Sequence, residues 1–175
     1  MVYHLSEDER KYTFDKIEKN RIFPKELIVC QWYDNEDQEL EYKLSVNLLT
    51  KVSRWMRVRK KRDSFVHAEK TIEYLEPLDM NHLLGMQFLC KRRSVDNNIF
   101  IDRFIYNNGK CINLLENEGD EKELKNAELS NGIIGLREVT EETDYHSKQM
   151  AIPFSIYHLQ ELSLLLNLLS INQSI

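Results

Sequence analysis

Apolar and polar positions alternate along this chain in short runs, and alternation with period two is what a strand shows when its two faces meet different surroundings. Segments dense in β-branched and aromatic residues recur at roughly 3–14, 26–34, 39–46, 54–61, 64–74, 88–94, 98–106, 111–118 and 132–140, which predicts about nine strands. Helical periodicity is rarer. Pro77-Leu78-Asp79 opens a segment running to Phe88 in which Leu78, Leu83, Leu84 and Phe88 fall near the helical period. Residues 120–129 read as a charged, solvated helix. From Pro153 onward, Ile156, Leu159, Leu162, Leu166 and Leu169 recur every three or four positions and predict an amphipathic helix covering the sheet or one of its ends. Asn107-Asn108-Gly109 is the strongest hairpin signal, because Asn-Gly tolerates the positive φ of tight turns. The pattern is mainly β (α+β), antiparallel, with peripheral helices.

At 175 residues the chain has the length of one domain, 1–175, with a core of ordinary size and no room for a separate nucleotide-binding domain. The stretch Leu159–Ile171 is interrupted by Gln160, Glu161 and Asn167 and is shorter than a bilayer span of roughly 20 residues. The start, MVYHLSEDERKY, lacks the basic and apolar regions of a secretory signal. Cys30, Cys90 and Cys111 are odd in number and widely spaced, suggesting neither a disulfide framework nor a C-x-x-C metal site. These features predict a cytoplasmic, reduced protein with no membrane partner, monomeric or homodimeric. The net charge of -5 excludes a globally basic nucleic-acid binder, although Arg54–Arg62 and Lys91–Arg93 are locally basic and 34–41 and 116–123 acidic.

The charges fall in i, i+2 pairs, so each pair shares one face of its strand. Glu7, Glu9 and Lys11 share a face, as do Arg57 and Arg59, Lys91 and Arg93, and Glu116 and Glu118; Lys70 follows Val66 and Ala68, and Asp102 lies opposite an Ile-rich face. Taken singly, such a pair marks a solvated outer face. Taken together, they suggest a closed barrel with a hydrated interior, since uncompensated buried ions cost several kcal/mol each. Several carboxylates at close range bind a hard cation such as Mg²⁺ or Mn²⁺ through oxygen, and Arg and Lys on facing strands bind phosphate oxygens. A polyphosphate chain would bridge both sets.

At these residues the chain resembles the CYTH superfamily, or triphosphate tunnel metalloenzymes. Glu7-Asp8-Glu9-Arg10-Lys11 matches the family's E-x-E-x-K, followed in order by Gln31-Trp32-Tyr33-Asp34, the R-x-R of Arg57 and Arg59, Lys70, the K-x-R of Lys91 and Arg93, Asp102 before an aromatic, and the second E-x-E of Glu116 and Glu118. A late segment, Gly135 to Thr140 with Tyr145 after it, is similar as well. The motif E-x-E-x-K occurs again at Glu39, Glu41 and Lys43, where the order of the remaining motifs makes it a decoy on an outer face. Departures are Ala68 in place of the usual Thr before Lys70, a long stretch from Tyr33 to Arg57, and no Gly and Asn after Val139-Thr140.

The resemblance implies an eight-stranded antiparallel closed β-barrel, a tunnel, and metal-dependent hydrolysis of a triphosphate: inorganic tripolyphosphate, thiamine triphosphate, a nucleoside triphosphate or an RNA 5′-triphosphate end. It implies Glu7, Glu9 and Lys11 as catalytic residues; Glu7, Glu9, Asp102, Glu116 and Glu118 as ligands of Mg²⁺ or Mn²⁺; and Arg57, Arg59, Lys70, Lys91 and Arg93 as the phosphate grip. The same resemblance admits a class IV-type adenylate cyclase or a non-catalytic nucleotide or polyphosphate binder, and the basic run 54–62 admits a nucleic-acid-binding module. Walker, zincin and α/β-hydrolase signatures are absent from the sequence. The five His are scattered without ligand spacing, Trp32 and Trp55 read as packing residues, and Lys60, Lys61 and Arg62 as solvated turn residues.

Overall fold

The structure, a computed structural model, describes residues 2–18 and 23–169. Its strands are β1 Val2–Asp8, β2 Arg10–Thr13, β3 Lys16–Ile17, β4 Lys25–Tyr33, β5 Leu40–Asn47, β6 Ser53–Arg62, β7 His67–Leu75, β8 Gln87–Asp96, β9 Ile99–Tyr106, β10 Asn113–Asn117, β11 Ile133–Ile134, β12 Arg137–Glu138 and β13 Ile152–Pro153. The helices are α1 Glu121–Asn131, α2 Ser147–Met150 and α3 Ile156–Leu168. Eleven strands form one curled antiparallel sheet in the order β1-β7-β6-β5-β4-β8-β9-β10-β2-β12, with β13 added to β8.

This is a half-barrel, and the closed eight-stranded barrel expected from the sequence is not formed. The reason lies at the N-terminal stretch. β1 is an edge paired with β7 (Glu7 opposite Ala68), while β2, one residue later, lies by the far edge against β10 (Lys11 opposite Glu116). Both edges use successive parts of one backbone, which cannot form a ladder with itself. The chain crosses the seam at Glu9, whose N–H donates to the Val66 carbonyl at 2.9 Å.

Strand alternation then sorts the side chains. One parity of β4, β5, β6 and β8 sends Cys30, Trp32, Leu44, Val46, Trp55, Phe88 and Cys90 to the outer face of the curl, where Phe154 and Leu162 cover them. Trp32 is completely buried there, stacked at 5.5 Å on Trp55 and 5.2 Å from Phe88. The opposite parity points inward and is mixed: Gln31, Lys43, Lys60, Lys91 and Arg93 face the cavity, while Val29, Met56, Val58 and Leu89 are buried beside them. Of the stripe expected on α3, Leu162 is buried but Ile156 is exposed, and residues 170–171 of the apolar stretch lie outside the described residues. No helix among the described residues is long and apolar enough to cross a membrane.

Two helical expectations change. Residues 120–129 are not merely a solvated helix: α1 buries Leu124 and Ala127 against Tyr12, Phe14, Ile99, Ile101 and Leu115. A capping box holds its start, the Asp120 carboxylate accepting from Glu123 N–H at 2.8 Å, and Gly132 ends it at φ 61. The segment 77–88 gives only one 3₁₀ turn, Met80–Leu83, before β8 begins. Leu83 enters the outer core and Gly85, at φ 86, turns the chain out of helical geometry. The segment 132–140 yields only the two-residue strands β11 and β12.

Candidate functional site

The inner face of the curl surrounds a cavity of about 330 Å³. Its walls carry Glu9 and Lys11 from the N-terminal stretch, Glu41 and Lys43 from β5, Lys60 and Arg62 from β6, Lys70 from β7, Lys91 and Arg93 from β8, and Glu116 and Glu118 from β10 and the residues after it. One mouth is capped by Thr143–Gln149, whose Lys148 ammonium donates to the Gln38 carbonyl at 3.3 Å.

The acids divide into two groups. Glu7, Glu9 and Glu118 each place a carboxylate oxygen within 4.8 Å of the others. Asp102 and Glu116, expected to complete that set, are bound to bases instead. Arg93 grips Asp102 with Nε and Nη2 at 2.7 Å each and also reaches Glu116. Lys91 lies 2.6 Å from Asp102 and 3.5 Å from Glu116, and Lys11 lies 3.6 Å from Glu116 and 3.2 Å from Glu9. Asp102 is wholly buried, so this fork-on-carboxylate pair holds β8 to β9 and fixes the direction of Arg93. It is separate from the three-carboxylate cluster.

The bases show the largest correction. Arg57 and Arg59, expected as the phosphate grip, sit on the outer face, exposed, paired with Glu73 at 2.5 Å and with Asp37 at 2.6 Å. Met56 and Val58 are the buried, inward side of β6, and two further steps of that parity bring Lys60 and Arg62 into the cavity. Lys60 bonds Glu7, and Arg62 bonds Glu9 at 3.1 Å. Lys70, Lys91 and Arg93 do line the cavity, Lys70 bonded to Glu7. The supposed decoy is likewise inside: Leu44 and Val46 fill the outer core, which leaves Lys43 and Glu41 on the cavity side, and Glu39 lies at the cavity wall. His146 also lines the cavity, its Nε2 3.1 Å from the Thr140 carbonyl oxygen. The burial of Met56, Val58, Leu44 and Val46 by parity was the sequence signal for Lys60, Arg62, Glu41 and Lys43; for His146 there was none.

Burial alone would raise the Glu9 carboxyl, but Lys11, Lys60 and Arg62 outweigh it and hold the group ionised far below the usual range. The same contest lowers Glu116, where Arg93, Lys91 and Lys11 win over burial, and Glu7, where Lys60 and Lys70 do. Glu118 goes the other way: burial, and then Glu7, push it up to about 7. A crowd of three carboxylates, one of them held half-protonated near neutrality, has the donor chemistry of a hard divalent cation, which takes carboxylate oxygens and relieves their repulsion. Glu7, Glu9 and Glu118 are the residues that could hold it.

No protein-family model matches the chain, and neither does any curated protein. It is similar to two solved structures of NE1496, one described as a hypothetical protein and the other as an inorganic triphosphatase, with TM-scores of 0.49 and 0.48, 16% identity, and coverage of 85% of this chain and 99% of the other.

Proposed function

We propose that this chain is a divalent-metal-dependent hydrolase that cleaves the terminal phosphoanhydride of a triphosphate-bearing substrate, within a single CYTH-like tunnel domain. One observation carries the reading: a single cavity is lined by Glu9 and Glu118, with the Glu7 carboxylate within 4.8 Å of both, beside Lys11, Lys43, Lys60, Arg62, Lys70, Lys91 and Arg93. A polyphosphate carries oxygens for both. At an effective dielectric near 20, each close charge pair contributes on the order of 4 kcal/mol before desolvation, so several inward bases suffice to hold a trianion or tetraanion.

Glu7, Glu9 and Glu118 would bind Mg²⁺ or Mn²⁺, which when bound supplies Lewis-acid neutralisation of the phosphoryl oxygens. Lys60, Arg62 and Lys70, now spent on Glu7 and Glu9, exchange those partners for phosphate oxygens and stabilise charge on them as the bond breaks. Arg93 and Lys91, held by Asp102, present a preset donor pair, and Lys11 bridges Glu9 and Glu116 at the floor of the acid end.

The test is a panel of tripolyphosphate, thiamine triphosphate, ATP, GTP and triphosphorylated RNA, each with Mg²⁺ or Mn²⁺ and with a chelator, every product identified. Metal-dependent release of orthophosphate is expected. Release of pyrophosphate with a cyclic nucleotide would turn the reading into a cyclase, and tight binding without turnover of any member into a binding protein.

A further inference from the structure

The outer layer holds a pair of groups that the inner face does not use. Cys30 on β4 and Cys90 on β8 are direct partners in the antiparallel register. Their side chains turn to the same face, where one thiol donates to the other with the sulfurs 3.1 Å apart. Both are free thiols, 1% and 0% exposed. The third cysteine, Cys111, belongs to a different cluster and spends its thiol on the Asn113 carbonyl at 3.0 Å.

Two cysteines in a core are ordinarily small hydrophobes; placement sets this pair apart. Residues opposite each other across an antiparallel ladder have Cα atoms about 4.5–5.5 Å apart, inside the span of about 4.4–6.8 Å that a disulfide bridges. From the observed contact the sulfurs close by about 1 Å to bond, with no change of register. We propose that Cys30 and Cys90 are a site of oxidative modification, converted by hydrogen peroxide into a cross-strand disulfide when α3 lifts from the outer face. The inference goes beyond the reaction at the inner face and does not depend on it.

The chemistry balances in two steps. One cysteine thiolate attacks a peroxide oxygen, the O–O bond breaks, hydroxide leaves and takes a proton to become water, and the sulfur is left as a sulfenic acid. The second thiolate displaces hydroxide from that sulfur, which forms the S–S bond and a second water. The two thiols give up two electrons and two protons, and one peroxide becomes two waters.

The cover decides when this happens. Only a thiolate reacts, and burial, with the hydrogen bond from Cys90 adding to it, holds the Cys30 thiol well above its usual range. The closed protein therefore protects the pair. Its cover is lightly held: Leu162 is the one buried residue of α3, and Leu159, Leu165 and Leu166 are only partly covered. An element with so few buried apolar contacts opens before the sheet beneath it does. Cys30 and Cys90 stand 60 positions apart in the chain, and the loop between them contains β5, β6 and β7. A bond closing that loop restricts the unfolded chain, so the oxidised protein is the more stable one.

The experiment exposes the full chain to hydrogen peroxide, removes the excess with catalase, denatures the protein and alkylates the remaining thiols. Intact mass should show the loss of two hydrogens and one alkylated thiol in place of three, and peptide mapping should join Cys30 to Cys90. The oxidised chain should melt about 5 °C or more above the reduced one, and a dithiol should reverse the shift. Cys111→Ser should behave as the wild type, whereas Cys30→Val with Cys90→Val should show neither the bond nor the shift. Leu162→Ala, which loosens α3, should speed bond formation at least about tenfold, while Leu124→Ala, which loosens α1 instead, should change it less than about twofold. Where Leu162→Ala does not fold, Leu162→Val should show the same direction. Three alkylatable thiols after peroxide, a bond involving Cys111, or sulfurs that gain oxygen without joining would overturn the site. Equal acceleration by the Leu162 and Leu124 variants would overturn the role of α3.

Discussion

The two faces of the curled sheet contradict each other in chemistry although the same strands make both. On the outer face of β4, β5, β6 and β8, Trp32, Leu44, Trp55, Phe88 and Cys90 close against Phe154 and Leu162 in a dry layer. On the inner face of the same strands stand Gln31, Lys43, Lys60, Lys91 and Arg93. In most sheets the enclosed side is apolar and the open side charged. Here much of the hydrophobic stabilisation lies outside the curl, under α3 and α1, and a smaller cluster of Tyr33, Leu89, Leu114, Val139 and Met150 takes part of the inward positions, which leaves the others to hold charged groups.

That division can be attacked from either side. Trp32→Ala should be the most damaging single change, lowering stability by about 3–5 kcal/mol through the cavity it leaves, read as a drop in denaturant midpoint; if the protein instead loses less than about 1 kcal/mol, the outer layer is not the stabilising one. On the inner side, Glu9→Gln should leave a folded chain whose metal-dependent turnover falls by at least about a hundredfold, equivalent to ~2.7 kcal/mol of lost transition-state stabilisation, and whose melting temperature no longer rises on adding Mg²⁺. Unchanged turnover would remove the acid cluster from the chemistry. Replacing Lys60 and Arg62 by Met should weaken tripolyphosphate binding by about tenfold, or ~1.4 kcal/mol. The matched pair Arg57→Ala and Arg59→Ala, on the outer face, should change affinity less than about twofold and stability by under ~1 kcal/mol, the usual scale for exposed ion pairs. If the outer pair mattered more than the inner one, the facing of β6 would be reversed.

The general architecture was legible because period-two alternation survives whichever face is buried. The facing of individual charges was harder. In the run Arg54-Trp55-Met56-Arg57-Val58-Arg59-Lys60-Lys61-Arg62, both parities carry bases, so charge alone could not choose between Arg57 with Arg59 and Lys60 with Arg62. The motif order favoured the first pair. The apolar Met56 and Val58 decided for the second, because the inner wall is apolar at one end of β6 and basic at the other. The order and spacing of the motifs put Glu41 and Lys43 outward, whereas Leu44 and Val46, of the opposite parity, occupy the outer face. The spacing along β8 and β9 could not show that Asp102 would be claimed by Arg93, since that contact depends on a cross-strand register, Arg93 opposite Asp102, that only the folded sheet supplies.

The passage of the chain through Glu9 ties the acid cluster to the integrity of the curl. Glu7 hangs from one rim, Glu118 follows the strand beside the other, and Glu9 stands at the junction between them. Any parting of the two rims would spread these three carboxylates before it disturbed the rest of the lining. In the proposed reading, a cation shared by all three is therefore also a rivet, fastening mechanically the gap that backbone pairing leaves unsewn.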